Sequence, residues 1–150
     1  MQQIQELFRN QPVKALLVTG PSNEMSMGKI LAEFGAEVII VPAMRNAFAR
    51  QEQKILRDRY GSRITFHEAD FDTVAQLADV YKPDVVFADF QGRVEIVHRL
   101  IPCLINENYL NEYGYDYAID FGEHFFSNLK TPVFREWQDL MDRYGEGHYA

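Results

Sequence analysis

The sequence predicts one α/β domain of the Rossmann-like type, in which a parallel sheet of four to five strands lies between two layers of helices. Residues 15–19 form a run without polar alternation, which is typical of a strand covered by helices on both faces. Four more strand-like segments follow it, and helix-like segments separate them. This alternation indicates an α/β sheet. The doubly wound pattern predicts strand order 2-1-3-4, with the fifth strand at the edge and extra helices after it.

The composition argues against several classes of function. The chain has 150 residues, a net charge of −7 and a single cysteine, Cys103. This length suits one domain, and no Lys/Arg cluster offsets the acidic charge, which argues against binding to nucleic acid or an anionic membrane. One cysteine excludes an internal disulfide and a Cys-rich metal site within the chain. Without an apolar run of about 18 to 20 residues or a signal-peptide pattern, we expect a cytoplasmic protein that is not inserted in a membrane.

The elements before the second strand follow from spacing and from helix-ending residues. Apolar residues at helical spacing predict a helix over residues 3–10, which Pro12 ends. After the first strand, Ser22 or Asn23 can cap a second helix, and Gly35 ends it. Residues 36–42 then form the second strand.

The middle of the chain predicts a helix and a strand with exposed faces. Residues 46–60 are charged on most faces, and Phe48, Ile55 and Leu56 form the apolar stripe of a solvent-facing helix. Residues 63–68 alternate between apolar and polar side chains, which is the pattern of a strand with one wet side. We therefore expect this strand at or near an edge of the sheet.

The last part of the chain continues the alternation. Asp70 can cap a helix over residues 71–81, and a buried strand over residues 85–88 follows. The remaining predicted elements are a helix over residues 92–100, a fifth strand over 101–105, and helices over 117–129 and 132–144.

The turn from Gly20 to Glu24 is the most site-like element, because ligands of open α/β sheets bind outside the carboxyl ends of the strands. Unpaired N–H groups at the following helix N-terminus can also attract an anion. The turn lacks the spacing of a Walker loop or a dinucleotide fingerprint, since Gly20 and Gly28 are eight residues apart and Lys29 is followed by Ile30. Glu24 would also repel phosphate. A purely structural turn and a ligand-binding loop both remain consistent with this sequence.

Other polar residues are predicted at the same edge. Cys103 is either a small buried hydrophobe or a reactive thiol, and the polar loop that begins at residue 106 can orient a ligand or form turn hydrogen bonds. The histidines are not spaced as a metal pair, and no catalytic set can be assembled. The candidate ligand-binding residues are Gly20, Ser22, Asn23, Glu24, Gln91, Cys103, Asn106, Glu107 and Asn108.

Several short motifs occur in a recognisable order. Lys82-Pro83-Asp84 precedes a strand, Ile101-Pro102 begins another, and Gly114-Tyr115-Asp116 begins a helix that Thr131-Pro132 follows. The helix after the first strand closes as Phe34-Gly35-Ala36-Glu37-Val38. In this order and spacing the chain resembles the nitrogenase component 1 family, and most closely the third Rossmann-like domain of its alpha-type subunits.

The resemblance implies one domain of a larger nitrogenase-like oxidoreductase subunit or cofactor-scaffold protein. Complete family members enclose a metal-sulfur cofactor or a tetrapyrrole substrate between three such domains, and an ATP-dependent reductase supplies electrons. The expected partners are therefore the other domains or subunits and that reductase. The family's metal-binding histidine falls on Glu107 or Leu104 here, and its basic residue after the first strand falls on Asn23. We therefore expect the chain alone to hold no cofactor and to catalyse nothing.

A different class of function remains open, namely a stand-alone, non-catalytic module that binds a small ligand or a protein partner. The two interpretations differ in the exposure of the aromatic residues near the carboxyl terminus. A domain that packs against others, or that forms a homo-oligomer, should expose a set of apolar residues too large for its own core. That set is Tyr109, Leu110, Tyr113, Tyr115, Phe121, Phe125 and Phe126.

Overall fold

The computed structural model describes residues 2–19, 24–68, 70, 73–105, 122 and 125. Five strands alternate with five helices in this part of the chain. The strands are β1 (Lys14–Val18), β2 (Glu37–Ile40), β3 (Ile64–Phe66), β4 (Val85–Ala88) and β5 (Cys103–Ile105). The helices are α1 (Gln2–Asn10), α2 (Glu24–Phe34), α3 (Ala47–Tyr60), α4 (Val74–Tyr81) and α5 (Phe90–Ile96).

All described strand pairs are parallel, and the five strands form one sheet in the order β3-β2-β1-β4-β5. The predicted α/β class and the central position of β1 are therefore confirmed. The predicted order 2-1-3-4-5 is wrong, because β3 pairs with β2 at an edge and β4 pairs with β1. The edge position agrees with the alternating burial of Ile64, Thr65 and Phe66, of which only Thr65 is exposed.

Helices cover both faces of the sheet, as the apolar run of β1 predicts. Alternate residues of β1 point to opposite faces: Leu17 packs with α1 and α2, whereas Leu16 packs with α4 and α5. Both leucines are fully buried. The two cores are thus separated by the sheet, in a three-layer arrangement typical of Rossmann-like domains.

The position of α3 differs from the prediction. Phe48 and Ile55 were expected in its apolar stripe, but they are 69% and 56% exposed. The buried residues of α3 are Ala49, Gln53 and Leu56, which recur at helical spacing. Of the predicted stripe only Leu56 therefore faces the protein, together with Ala49 and Gln53, whereas Phe48 and Ile55 face solvent.

Capping side chains define where two helices begin. Thr73, rather than the predicted Asp70, caps α4, because its Oγ1 accepts a hydrogen bond from the Gln76 N–H at 3.1 Å. Asp89 caps α5, since its Oδ1 accepts from the Gly92 N–H at 2.8 Å. Such caps satisfy N–H groups that have no partner within the helix. The helix after β4 consequently starts two residues before the predicted position at Gly92.

Gly92 allows α5 to approach β4 closely. A Cβ atom at this position would lie 2.7 Å from the Ala88 Cβ and 3.0 Å from the Val74 Cγ2. Both distances are below ordinary carbon–carbon contact. A residue without a side chain is therefore needed where α4, α5 and β4 meet.

The two central strands are joined at their starts by Asp84. Its N–H donates to the Lys14 carbonyl at 2.8 Å, and its Oδ2 accepts from the Lys14 N–H at 2.7 Å. The adjacent pair in the ladder is Ala15 with Val85. The carboxylate thus extends the backbone pairing of β1 and β4 by one residue.

Phe125 belongs to the core of its own chain. It is fully buried, and its ring stacks on Phe8 and Phe87 at centroid distances of 5.7 and 5.8 Å. The expectation that Phe125 is exposed is therefore wrong, because α1 and the sheet cover its ring completely. The other six residues of that predicted set lie outside the described residues.

Candidate functional site at the carboxyl edge

The strand order defines where a ligand site is expected. Since all five strands are parallel, their carboxyl ends lie at one edge of the sheet, which we call the carboxyl edge. The chain runs outward from β1 through β2 to β3, and then returns to the other side of β1 with β4. Ligands of open α/β sheets bind where the order reverses in this way. The corresponding point here lies between the ends of β1 and β4.

Glu24 is the most unusual side chain at this edge. It begins α2 directly after the turn that follows β1, yet it is only 2% exposed. Its Oε1 accepts a hydrogen bond from the N–H of Ala43, just beyond β2, at 3.3 Å. Its Oε2 is buried and has no hydrogen-bond partner among the residues that the structure describes. The site therefore contains a buried carboxylate with one satisfied and one unsatisfied oxygen.

Thr19 contributes a second unsatisfied oxygen at the end of β1. Its Oγ1 is buried and, within the described part of the chain, has no hydrogen-bond partner. Thr19 and Glu24 flank the same turn, and both offer an oxygen that can accept a hydrogen bond. Buried polar atoms in proteins usually have partners, so two such oxygens beside one turn favour a ligand or another protein segment that donates hydrogen bonds there.

The end of β4 places further polar groups at the same edge. Asp89 is exposed, but one of its oxygens caps α5. Gln91 is exposed in the first turn of α5. Of the predicted ligand-binding residues, Glu24 and Gln91 are thus placed at the carboxyl edge, on the two sides of the point where the strand order reverses.

Cys103 begins the short strand β5, and its thiol lies near the Ala88 backbone and Asp89, where β4 ends at the carboxyl edge. It pairs with Val86 and packs against the core formed by α4 and α5. Burial raises the pKa of its thiol to about 11, and the nearby positive charge of Arg93 only partly opposes this effect. A protonated thiol is a poor nucleophile and a poor metal ligand. Its environment is that of a small core residue.

The described residues do not fit the coordination of a metal-sulfur cofactor. No group of three His, Cys, Asp or Glu side chains among them could hold a metal ion, and the one cysteine of the chain, Cys103, cannot supply the several thiolates that such a cofactor uses. The free carboxylate oxygen of Glu24 can accept a hydrogen bond from a ligand that is held elsewhere, and the Thr19 hydroxyl can accept or donate one. Their arrangement is therefore suited to enclosing a polar group.

Several predicted site residues cannot be placed. Gly20, Ser22, Asn23, Asn106, Glu107 and Asn108 lie outside the described residues, as do His124 and His148. Of the remaining histidines, His98 is exposed, whereas the half-buried His67 shares a hydrogen bond of 2.7 Å between its Nδ1 and the Tyr81 hydroxyl.

The burial of Glu24 could have been recognised from the sequence. Glu24 precedes Gly28 and Leu31 by four and seven residues, and both are buried on the sheet-facing side of α2. Extending this spacing back by two turns places Glu24 on the buried face. The hydrogen bond from Ala43 gave no comparable signal, because it joins two different loops.

A cavity of about 370 Å³ lies at the opposite edge of the sheet, where the strands begin. Its polar groups already have structural partners: Asp84 bonds Lys14, and the Lys14 ammonium lies 3.4 Å from Glu37. We therefore assign the candidate site by strand order and by unsatisfied polar atoms, not by cavity volume.

No family model, curated protein or solved structure matches the chain. The family resemblance consequently rests on the order of its short motifs. Among the helices that the structure describes, none has both the length and the apolar character required to cross a membrane.

Proposed function

We propose that this chain is a ligand-enclosing, Rossmann-like domain of a cytoplasmic nitrogenase-like assembly. In this proposal its carboxyl edge closes over a metal-sulfur cofactor or a tetrapyrrole substrate that other domains hold. The chain contributes hydrogen-bond acceptors, not metal ligands and not catalysis. The sequence motifs support the family assignment, and the parallel sheet supports a ligand at this edge.

The observation that carries the proposal is the unsatisfied oxygen of the buried Glu24. A buried polar group without a partner costs roughly 1–3 kcal/mol, and more when it is charged. The dipole at the start of α2 offsets only about 0.3–1 kcal/mol of that cost. A donor group from a ligand or a neighbouring domain would remove the remaining penalty, so the carboxylate is best explained by what it contacts in the assembled protein.

The test is to purify the chain anaerobically from its native host, with its associated proteins, as wild type and as Glu24→Gln. The substitution keeps the Oε1 acceptor for Ala43 but removes the charge. Glu6→Gln is the matched control, because Glu6 is exposed on α1. The mass of the assembly is measured, together with its iron, sulfide and tetrapyrrole content.

We expect wild type and Glu6→Gln to purify with further Rossmann-like domains and a bound group. Glu24→Gln should retain the assembly but hold less of the bound group, because we expect its affinity to fall at least about tenfold, equivalent to about 1.4 kcal/mol. A wild-type chain that purifies as a monomer without any bound group would contradict the proposal. Full retention of the group by Glu24→Gln would contradict the role of the carboxylate.

One observation favours the second candidate, a stand-alone module that binds a small ligand. Phe125 is buried by its own chain, so this residue offers no surface to a neighbouring domain. In the same purification, a monomer that carries a metal-free organic molecule would support this candidate and exclude the nitrogenase-like assembly.

A further inference from the structure

A second pocket lies at the carboxyl edge, away from the point where the strand order reverses. It has a volume of about 240 Å³ and opens between the start of α3 and the end of β3. It lies beside the loop that carries Ala43, the hydrogen-bond partner of Glu24, but it does not include Glu24 and does not depend on the proposed function. Its lining residues are Pro42, Arg45, Arg50, Gln53, His67 and Glu68.

Two of the charged side chains around this pocket form ion pairs, and a third does not. Arg45 lies 2.8 Å from the Asp70 carboxylate, and Glu68 forms an ion pair with Arg57 from α3. Arg50 makes no ion pair or hydrogen bond with any residue in the described part of the chain. One positive charge in the pocket is therefore left uncompensated, in a protein whose net charge is −7.

Gln53 adds an amide on the same side of α3. It follows Arg50 by three residues, which places the two side chains next to each other on the helix surface. The residue as a whole is 9% exposed, and its amide makes no hydrogen bond with the described residues but is not among their fully buried atoms, so it is open to a ligand. A ligand that can bond both the guanidinium and the amide would satisfy two groups at once.

We propose that this pocket binds the carboxylate group of a small organic anion, which Arg50 contacts through its guanidinium and Gln53 through its amide N–H. A guanidinium presents parallel N–H donors that match the two oxygens of a carboxylate. The single uncompensated charge fits a monoanion. A phosphate dianion would bring a second negative charge next to Glu68, whose countercharge is already used by Arg57.

The experiment is an NMR titration of the full chain with propanoate, in which the backbone amide signals of α3 and residue 67 are followed. Inorganic phosphate is titrated in parallel, and sodium chloride is used at matched ionic strength. The variants are Arg50→Gln, which removes the charge, and Gln53→Glu, which places a carboxylate beside Arg50. Lys54→Gln is the control, because Lys54 is 80% exposed on the same helix and pairs with Asp58.

We expect saturable propanoate binding that Arg50→Gln weakens at least about tenfold, equivalent to about 1.4 kcal/mol. Gln53→Glu should abolish binding, because its own carboxylate neutralises Arg50. Lys54→Gln should change the dissociation constant less than about twofold, since exposed charges are screened. The proposal is overturned if propanoate does not saturate, if phosphate binds more tightly, or if Lys54→Gln and Arg50→Gln have equal effects.

Discussion

Phe125 offers a direct measure of how much its ring contributes to the stability of the domain. Its ring is fully buried and stacks on Phe8, with an interplanar angle of 4°, and on Phe87, with an angle of 18°. Phe125→Ala removes both ring contacts and leaves a cavity. Phe→Ala substitutions in cores cost about 3–5 kcal/mol, and this site belongs in that range because stacked aromatic pairs add to burial.

The assay is urea denaturation of the wild type, Phe125→Ala, Phe125→Leu and an exposed control, Val80→Ala. Val80 is 72% exposed, so its replacement should change the free energy of unfolding by less than about 0.5 kcal/mol. Phe125→Leu retains most of the volume and should lose less than Phe125→Ala. A loss below about 1 kcal/mol for Phe125→Ala would show that the ring is not part of the domain core.

Three further predictions concern a glycine, a thiol and a phenol. Gly92→Ala should lower the free energy of unfolding in urea by about 1–3 kcal/mol, because the new Cβ would lie 2.7 Å from that of Ala88; an unchanged midpoint would contradict this. Because burial raises the pKa of Cys103 to about 11, its alkylation by iodoacetamide should be slow at pH 7 and accelerate up to about pH 11; a rate that levels off near pH 8 would argue against it. Burial and the hydrogen bond to Glu33 raise the pKa of Tyr60 to about 12. The folded state therefore favours the protonated hydroxyl, and the stability that this hydroxyl contributes is complete below the ordinary tyrosine pKa near 10 and is lost as the pH rises to about 12. The wild type should therefore lose more stability than Tyr60→Phe between pH 10 and 12 in thermal melts, and parallel losses would refute the shift.

The sequence predicts the fold class because burial on both faces leaves a local signal in each strand. It does not specify the strand order in the same way, since the pairing of β1 with β4 joins residues about 70 positions apart, for example Ala15 with Val85. The one local signal for the order was the exposed Thr65 between two buried residues. That signal correctly indicated an edge strand and the observed order, whereas the other common doubly wound order, 2-1-3-4-5, places β3 inside the sheet.

The candidate site was predictable only in part. The position of Glu24 after the first strand follows from the sequence. Which of its two oxygens receives a hydrogen bond does not, because the donor is the N–H of Ala43, which is distant in the sequence. The sequence does not predict the pocket of Arg50 and Gln53, because it indicates a stripe of Phe48, Ile55 and Leu56, of which only Leu56 is buried. A helix with two competing apolar stripes can turn either one inward, and tertiary packing decides between them.

The paired hydrogen bonds between Asp84 and Lys14 suggest a structural reason for the Lys82-Pro83-Asp84 motif. If β4 slipped by one residue along β1, each of its side chains would turn to the opposite face, so that Phe87 would leave the aromatic cluster for the smaller core under α4 and α5. The carboxylate can accept the Lys14 N–H in only one alignment. In this chain the motif fixes the register of β1 and β4. Its presence in a sequence is therefore evidence for how two central strands are aligned, and only secondarily for a chemical function.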